Sequence, residues 1–300
     1  MTPEEWRARG HHVAFGPHRI FCVDSAPDDR GRPVLVLVHG FPTASWDFVK
    51  VWPALAARFR VIAPDLLGFG FSSKPRHHPY SIMEQADVVD VVREAHGVDR
   101  HHVLAHDYGD TVAQELLARD NARPSGCLRS VCFLNGGLFP ETHRARRVQR
   151  LLEGPLGPAI SRLTTQATFA RSMTAIFGPA TPPTAEELDA FWTLVSHDDG
   201  HLLAHELIHY MADRRRHRER WVQALREARC PLAVIDGAAD PVSGAHMVAR
   251  YRELVGTGYV VELPGIGHYP QIEAPDLVLG HYVRFLADAG VPEGASSGTG

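Results

Sequence analysis

The first candidate for chemistry is an aspartate in the stretch Ala105-His-Asp107-Tyr-Gly109. The stretch follows a short apolar run and leads directly into a segment with helical spacing, Thr111 to Ala118. Small residues two positions before and two positions after the central residue are typical of a nucleophile elbow, a sharp turn between a strand and a helix. The turn lifts Asp107 above the end of a sheet, where open α/β folds bind ligands. The alternative is that Asp107 only caps the helix.

Two further polar groups follow later in the chain, each after another apolar run. They are Asp240, in Asp236-Gly-Ala-Ala-Asp240-Pro, and His268, in Gly265-Ile-Gly-His268. The order nucleophile, acid, histidine is the order that α/β-hydrolases use. Asp236 competes for the acid role, but we favour Asp240 because Asp236 is closer to its strand and less able to reach a histidine in the next loop. The alternatives are a turn aspartate before proline at 240 and a surface histidine at 268.

A loop after the first long apolar run reads His39-Gly-Phe-Pro. An oxyanion hole needs a close approach of the backbone, and we expect the N–H groups of Phe41 and Tyr108 to form it. We expect His39, Trp46 and Asn135 to line the substrate pocket. Asn135 alternatively positions a water molecule, holds the nucleophile loop or caps the end of its strand.

Short continuous apolar runs, typical of strands covered on both faces, recur along the chain. They span 34–38, 61–63, 103–105, 131–134, 232–235 and 260–263, and residues 12–24 precede them as two short strands joined by a turn. Segments with helical spacing, such as Ile82 to Ala95, alternate with these runs. The pattern predicts the α/β class, an α/β-hydrolase fold with a mostly parallel sheet and helices on both faces.

One interval breaks the alternation, because no strand-like run lies between about 140 and 229. We therefore predict an α/β-hydrolase core domain over 1–139 and 230–289, with a helical cap domain over 140–229 inserted between two strands. The tail, 290–300, is rich in glycine and serine and is predicted to be disordered.

The totals of 300 residues, 44% of them hydrophobic, fit one large α/β domain with an insertion. The net charge of −4 gives no support for a nucleic-acid partner, and the runs Arg144 to Arg147 and Arg214 to Arg216 are interpreted as solvated helix faces.

We see no secretory signal and no apolar run of the about 20 residues that a membrane helix needs. We expect a cytoplasmic monomer or homodimer with no membrane partner. Its four cysteines are expected to be reduced: Cys22, Cys127, Cys132 and Cys230.

A carboxylate nucleophile restricts the class of substrate. Attack on an ester carbonyl would give a mixed anhydride, whereas attack on a saturated carbon gives an alkyl-enzyme ester that hydrolyses readily. Asp107 therefore predicts epoxides or alkyl halides, with His268, oriented by Asp240, drawing a proton from the water that cleaves the ester. The expected partners are a small hydrophobic epoxide-like substrate and water, with no cofactor and no metal.

The leaving group separates the two substrate classes. An epoxide oxygen needs an acid, and the predicted cap contains one tyrosine, Tyr210. A halide needs N–H donors, typically a tryptophan directly after the nucleophile, but position 108 is tyrosine and position 41 is phenylalanine. These residues favour opening of an epoxide to a vicinal diol over dehalogenation.

These residues resemble the epoxide hydrolase and haloalkane dehalogenase branch of the α/β-hydrolases. The chain is still more similar to the mesoderm-specific transcript protein family over about 34 to 285. The stretches that carry this resemblance are Leu67-Gly-Phe-Gly-Phe-Ser72, His106-Asp-Tyr-Gly-Asp-Thr-Val-Ala-Gln-Glu115 and Asn135-Gly-Gly-Leu-Phe-Pro-Glu-Thr-His-Arg144. The resemblance implies that Asp107 is the nucleophile and His268 the base. Epoxide hydrolases usually present two cap tyrosines, however, and only Tyr210 matches. Three alternatives follow from this difference. One tyrosine is enough to protonate the epoxide oxygen, another group donates the second proton or hydrogen bond, or the epoxide hydrolase activity is weak.

Two other functions stay open. His205-Glu-Leu-Ile-His209 matches H-E-x-x-H, in which two histidines on one helix face bind zinc and Glu206 acts as base. The usual third-ligand pattern does not follow, so solvated helix histidines are the alternative. A non-catalytic ligand-binding protein of the same fold is the other possibility, and the intact set of nucleophile, acid and base argues against it.

Overall fold

An eight-stranded sheet runs through the centre of the protein, whose structure, a computed structural model, describes residues 1–290. The strands are β1 (Gly10–Phe15), β2 (His18–Asp24), β3 (Val34–Val38), β4 (Arg60–Pro64), β5 (His101–His106), β6 (Leu128–Leu134), β7 (Leu232–Gly237) and β8 (Tyr259–Leu263). Their order in the sheet is β1-β2-β4-β3-β5-β6-β7-β8. The β1–β2 and β2–β4 pairs are antiparallel and all the others are parallel, so the predicted mostly parallel sheet is confirmed.

Helices cover both faces of the sheet. In chain order they are α1 (Pro3–Arg7), α2 (Trp52–Arg58), α3 (Ile82–Ala95), α4 (Tyr108–Asn121), α5 (Arg147–Glu153), α6 (Gly157–Leu163), α7 (Gln166–Thr174), α8 (Ala185–Ser196), α9 (Ala204–Leu207), α10 (Tyr210–Arg216), α11 (Arg218–Arg226), α12 (Ala245–Leu254), α13 (Pro270–Glu273) and α14 (Pro275–Asp288). Two 3₁₀ helices span Ser45–Phe48 and His197–Leu203. Residues 140–229, called the helical insertion below, contain α5 to α11 and no strand.

The central strands are apolar throughout because both of their faces are buried. In β3, Val36 and Val38 belong to the hydrophobic core on one side of the sheet, and Leu35 and Leu37 belong to the core on the other side. Successive side chains of β3 therefore point to opposite faces of the sheet, as in any strand, although none of the residues in β3 is polar. The parallel register of β3 with β5 places Val38, at the end of β3, beside Ala105 near the end of β5.

The last helix of the insertion, α11, packs on the core helix α4. Glu115 of α4, which is 2% exposed, accepts hydrogen bonds from Trp221 Nε1 at 2.9 Å and from Arg220 Nε at 2.8 Å. α11, the last helix of the region predicted as the cap (140–229), therefore packs directly on the core. The partner of the apolar face of α11 is α4, which is distant in sequence and comes next to α11 only in the folded chain.

Other sequence predictions concern the remainder of the chain. The four cysteines form no disulfide; Cys22 and Cys132 are buried, and Cys127 and Cys230 are half-buried. None of the helices within residues 1–290 combines the length and the apolar character needed to cross a membrane. The predicted disordered tail, 290–300, lies outside the described residues except for Gly290.

A buried ion pair joins the antiparallel edge to the parallel centre of the sheet. Arg60, the first residue of β4, donates from Nη2 to Oδ2 of Asp24, the last residue of β2, at 2.6 Å. The two side chains are 3% and 2% exposed. Because each charge has lost its water, each depends on the other for solvation.

We expect Asp24→Asn to lower the free energy of unfolding by about 3 to 5 kcal/mol, because Arg60 would keep a buried, uncompensated charge. Urea unfolding followed by circular dichroism measures this change. The exposed Asp28 is the matched control, and Asp28→Asn should alter the free energy by less than about 0.5 kcal/mol. Equal effects of the two substitutions would contradict the importance of the pair.

Candidate active site

Asp107 lies in the turn between β5 and α4. Its backbone φ is +47°, a value that residues other than glycine rarely adopt. Its side chain makes no capping hydrogen bond to α4, which argues against the simple N-cap interpretation. The helix approaches β3 so closely that a Cβ on Gly109 would lie 2.2 Å from the carbonyl oxygen of Val38. The turn therefore has the geometry of the predicted elbow, and Asp107 is 4% exposed at its tip.

The predicted histidine and acid meet at the same edge of the sheet. His268 Nδ1 lies 2.7 Å from Asp240 Oδ2, and His268 Nε2 lies 3.9 Å from Asp107 Oδ2. Asp240 Oδ1 accepts the backbone N–H of Val242 at 2.7 Å. The hydrogen bond from Nδ1 orients the imidazole and leaves Nε2 directed toward Asp107.

Asp236 does not compete with Asp240 in the structure. It is completely buried, and within residues 1–290 neither of its carboxylate oxygens has a hydrogen-bond partner. Burial raises the pKa of Asp236 well above its ordinary value, and the nearby Asp240 adds to this rise. Asp236 therefore makes no hydrogen bond to His268, whose Nδ1 is bonded to Asp240.

Asn135 holds the acid in place and does not line the cavity. Its Nδ2 donates to Asp240 Oδ2 and to the carbonyl oxygen of Gly237, both at 3.1 Å. Its Oδ1 accepts the N–H of Gly237 at 2.7 Å. Of the alternatives raised by the sequence, the structure thus favours a strand-end role, here one that ties β6 to the loop that carries Asp240.

The loop after β3 brings a backbone N–H to Asp107. Phe41 N–H donates to Asp107 Oδ2 at 3.1 Å. The approach needs glycine at position 40, because a Cβ there would lie 2.7 Å from His106 Nδ1. Tyr108 begins α4 directly after Asp107, and its ring is buried against Phe69.

Neighbouring charges shift the pKa values of the acids and the histidine at the site. Burial raises the pKa of Asp107, but the charges of His268 and Arg214 outweigh it, so this pKa is lowered overall. Burial lowers the pKa of His268, but Asp240 and Asp107 outweigh it and raise the pKa to about 9. Burial likewise opposes ionisation of Asp240, and His268 nevertheless lowers its pKa to about 2. Both carboxylates are therefore ionised at neutral pH.

Arg214 is a site residue that the sequence analysis missed, since it interpreted Arg214 to Arg216 as a solvated face. The side chain is 2% exposed, and its Nη2 donates to the carbonyl oxygen of Asp107 at 3.0 Å. The same Nη2 lies 3.6 Å from Asp107 Oδ1, and Nε donates to Thr111 Oγ1 at 2.7 Å. Arg214 thus places a positive charge beside the Asp107 carboxylate and donates two hydrogen bonds to the elbow.

A signal for Arg214 was present in the sequence. It lies one helical turn after Tyr210, and residues with that spacing share a helix face. The two side chains do meet, because the Arg214 guanidinium lies 4.5 Å from the centre of the Tyr210 ring. A tyrosine predicted to face the site therefore implied that the arginine faces it too.

A cavity of about 310 Å³ opens above Asp107 and His268. Its walls are mostly apolar side chains of the insertion: Val148, Leu152, Ile160, Leu163, Phe169, Met173, Ile176 and Val195. Gln149 and Arg146 add polar groups to the same wall. The cavity suits a small, largely hydrophobic molecule held against a carboxylate.

His39 and Trp46, predicted to line the pocket, are instead buried outside it. His39 Nδ1 donates to the carbonyl oxygen of Gly40 at 2.8 Å, and its Nε2 accepts the N–H of Leu66 at 2.9 Å. Trp46 Nε1 donates to the carbonyl oxygen of Met1 at 3.1 Å, and the indole packs edge-on against Phe191. Both side chains satisfy backbone groups, and so they brace the loops around the site.

Tyr210 lies behind the cavity wall, 1% exposed, next to the rings of Phe41 and Tyr108. Its hydroxyl oxygen accepts a hydrogen bond from Gln149 Nε2 at 3.4 Å. Burial, and next the negative charge of Asp107, raise the pKa of Tyr210 above its ordinary value. The hydroxyl is therefore protonated at neutral pH.

The H-E-x-x-H residues have other partners. His205 lies 3.2 Å from Ser161 Oγ through Nδ1, and the Glu206 carboxylate accepts the backbone N–H groups of His77 and His78. The helix that begins at Ala204 ends at Leu207, before His209. In the part of the chain that the structure describes, no group of three or more potential ligand side chains is placed to hold a metal ion.

Comparison with known proteins agrees with this geometry. The sequence pattern of the α/β-hydrolase fold family matches residues 33–275, so the protein is a hydrolase of that fold. The mesoderm-specific transcript protein of Mus musculus is 42% identical over 290 residues, which are 94% of this chain and 87% of that protein. LipZ of Mycobacterium tuberculosis is also 42% identical, over 95% of this chain and 98% of its own length. The chain therefore belongs to the mesoderm-specific transcript protein family, as the sequence motifs predicted.

Among solved structures, a loop variant of the haloalkane dehalogenase DbeA from Bradyrhizobium elkanii superimposes with a TM-score of 0.79. The match covers 94% of this chain and 97% of that one at 21% identity. At this level of identity the similarity concerns the fold alone.

We expect Arg214→Met to raise the pKa of Asp107, because the substitution removes one of the two main positive charges beside the carboxylate. Carbon-13 NMR of the labelled aspartate carboxyl, assigned with Asp107→Asn, measures the titration. Arg214→Lys keeps the charge and is the matched control, so its Asp107 pKa should remain close to that of the wild type. An unchanged pKa in folded Arg214→Met would contradict the assigned role of Arg214.

Proposed function

We propose that this hydrolase opens an epoxide to a vicinal diol, with Asp107 as the nucleophile. The observation that carries the proposal is an ionised carboxylate in an elbow, with one oxygen on a backbone N–H and a His–Asp pair beside it, under an apolar cavity. The helical insertion acts as a cap that excludes water from the substrate.

In the first step Asp107 attacks a ring carbon of the epoxide. Oδ2 is held by Phe41 N–H, so Oδ1 forms the new bond to carbon and Oδ2 becomes the carbonyl oxygen of the ester. The carbon–oxygen bond of the epoxide breaks, and its electron pair stays on the leaving oxygen. A proton on that oxygen completes the alcohol.

In the second step water hydrolyses the ester. The 3.9 Å between His268 Nε2 and Asp107 Oδ2 is too long for a direct hydrogen bond and leaves a position for a water molecule at the ester carbon. Once Asp107 is esterified its negative charge is gone, so the pKa of His268 falls, the imidazolium gives up its proton to solvent, and Nε2 can take a proton from the attacking water. Phe41 and Tyr108 N–H groups hold the oxyanion on Oδ2.

Collapse of this oxyanion completes the turnover. The bond between the Asp107 carboxyl carbon and Oδ1 breaks, and Oδ1 leaves as the second oxygen of the diol with the proton from His268 Nε2. The new carboxyl group of Asp107 loses its proton, and the Tyr210 phenolate regains one, so both side chains return to their starting forms.

In this proposal the leaving oxygen takes its proton from Tyr210, whose hydroxyl lies behind the cavity wall and reaches the bound substrate when Gln149 moves aside. Gln149 donates to the Tyr210 hydroxyl oxygen, which leaves the tyrosine proton free to be given away. Gln149 lines the cavity, and its side-chain amide supplies a second hydrogen-bond donor in place of the second cap tyrosine that epoxide hydrolases usually have. A halide leaving group is less well served, because no tryptophan lines the cavity formed within residues 1–290.

The covalent intermediate is the direct test. In His268→Gln the ester should form but not hydrolyse, so incubation with an epoxide should add one substrate mass to the peptide that contains Asp107. Mass spectrometry of digested protein, over a panel of epoxides and haloalkanes, measures the adduct and its position. His281→Gln, a half-buried histidine of α14, is the matched control and should turn over without an adduct.

Wild-type protein that turns over neither class would overturn the proposal, as would an active enzyme whose Asp107 never carries the substrate. Turnover of haloalkanes alone would retain the nucleophile and replace the leaving group.

Removal of the proposed acid should slow the first step. We expect Tyr210→Phe to lower the rate of epoxide opening by about 100- to 10,000-fold, the usual contribution of a positioned proton donor. Haloalkane turnover, where present, should change much less because a halide leaves without a proton. Tyr251→Phe, another buried tyrosine, is the control, and equal losses in both variants would refute the specific role of Tyr210.

A further inference from the structure

Four apolar side chains of the insertion are exposed to solvent. Val148 is 37% exposed, Leu151 45%, Leu156 60% and Leu163 72%. They lie on α5, on α6 and on the short connection between these two helices. Single exposed leucines are ordinary, but several exposed apolar side chains on adjoining helices indicate a surface that contacts a protein, a membrane or a ligand.

This apolar surface adjoins the mouth of the cavity above Asp107. Val148 and Leu163 each line the cavity and also contact solvent. Leu151 lies almost one turn after Val148 on α5, and α5 packs against α6. An apolar path therefore leads from the outer surface of the insertion to the site.

The same surface is strongly basic. Between residues 142 and 185 the sequence contains six arginines, no lysine and one acidic residue, Glu153. The arginines are Arg144, Arg146, Arg147, Arg150, Arg162 and Arg171. Glu153 is already paired with Arg215. Within residues 1–290, none of the six arginines has an ion-pair partner, although the whole chain carries a net charge of −4.

The basic and apolar side chains are intermixed. Arg144, Arg147 and Arg150 line one surface cleft together with Val148 and Ser172. Arg162 and Leu163 are both exposed on α6, and Arg171 is exposed on α7, the helix that brings Ser172 to the cleft. We call this surface, formed by the four apolar side chains and the six arginines, the leucine–arginine patch.

We propose that the leucine–arginine patch docks the protein on an anionic phospholipid bilayer, with the cavity mouth facing the lipid. The arginines complement the negative headgroups, and the leucines and valine insert at the boundary with the acyl chains. A nucleic acid would use the arginines but leave the leucines in water, which makes it the poorer occupant. The docked orientation lets a hydrophobic substrate dissolved in the bilayer enter the cavity without crossing water.

This proposal differs from the expectation that the protein has no membrane partner. That expectation rests on the lack of a membrane-spanning run, which does not register a local surface. Arg144 and Arg147 are exposed, in agreement with the interpretation of their run as a solvated face. The proposal does not depend on the reaction, because binding to lipid is measured without turnover.

Flotation of the full-length protein with vesicles tests the proposal. We expect binding to phosphatidylcholine vesicles that contain phosphatidylserine, weak binding to phosphatidylcholine alone, and release when salt is raised and screens the charges. Each arginine contributes about fivefold to the partition coefficient. Arg147→Glu with Arg150→Glu should therefore weaken binding by about 25-fold or more. Leu156→Ser with Leu163→Ser should weaken it by about tenfold or more.

Matched controls lie elsewhere on the surface. Leu277 of α14 is 51% exposed, and Arg100 is exposed just before β5, at the opposite end of that strand from Asp107. Leu277→Ser and Arg100→Glu should leave binding unchanged. Equal binding to neutral and anionic vesicles, equal losses in control and patch variants, or binding to duplex DNA in preference to anionic vesicles would each overturn the proposal.

Discussion

The site depends on keeping one carboxylate ionised where little water reaches it. Asp107 is 4% exposed, and burial by itself would favour its neutral form. A backbone N–H from Phe41, the imidazolium of His268 and the guanidinium of Arg214 supply the solvation that water no longer gives. The strained turn at Asp107 places the carboxylate where all three meet, and Arg214 reinforces the turn through the Asp107 carbonyl oxygen.

Neighbouring buried acids show how selective this arrangement is. Asp110 and Asp236 are as buried as Asp107, yet their carboxylate oxygens have no hydrogen-bond partners within the described chain. Burial raises the pKa of both groups, and nearby acids raise it further. The pKa values of Asp107 and Asp240, on either side of His268, are instead lowered, because positive charges lie beside these two carboxylates.

The helical insertion contributes side chains to both the site and the outer surface. Arg214 of α10 lies beside the Asp107 carboxylate. α5 directs Gln149 and Leu152 to the cavity while it exposes Leu151 and Arg150 to the surroundings. A bilayer, as proposed, would give this helix a second apolar environment beside the cavity, next to the leucines that the core leaves uncovered.

The sequence by itself determined the elements whose signals are local. The apolar runs predicted the strands, and the spacing around Asp107 predicted the elbow. The order of Asp107, Asp240 and His268 placed all three at one edge, because the carboxyl ends of parallel strands meet there. The family motifs were equally local, each a continuous stretch of chain.

The tertiary structure decided what depends on contacts between distant segments. Arg214 binds the Asp107 carbonyl oxygen across 107 residues, and Asn135 reaches Asp240 across 105. His39 and Trp46 have the types of side chain that line pockets, but backbone groups brought near by folding engage them instead. A residue's type sets the bonds that it is able to form, and the packing of the whole chain sets which partners come within reach.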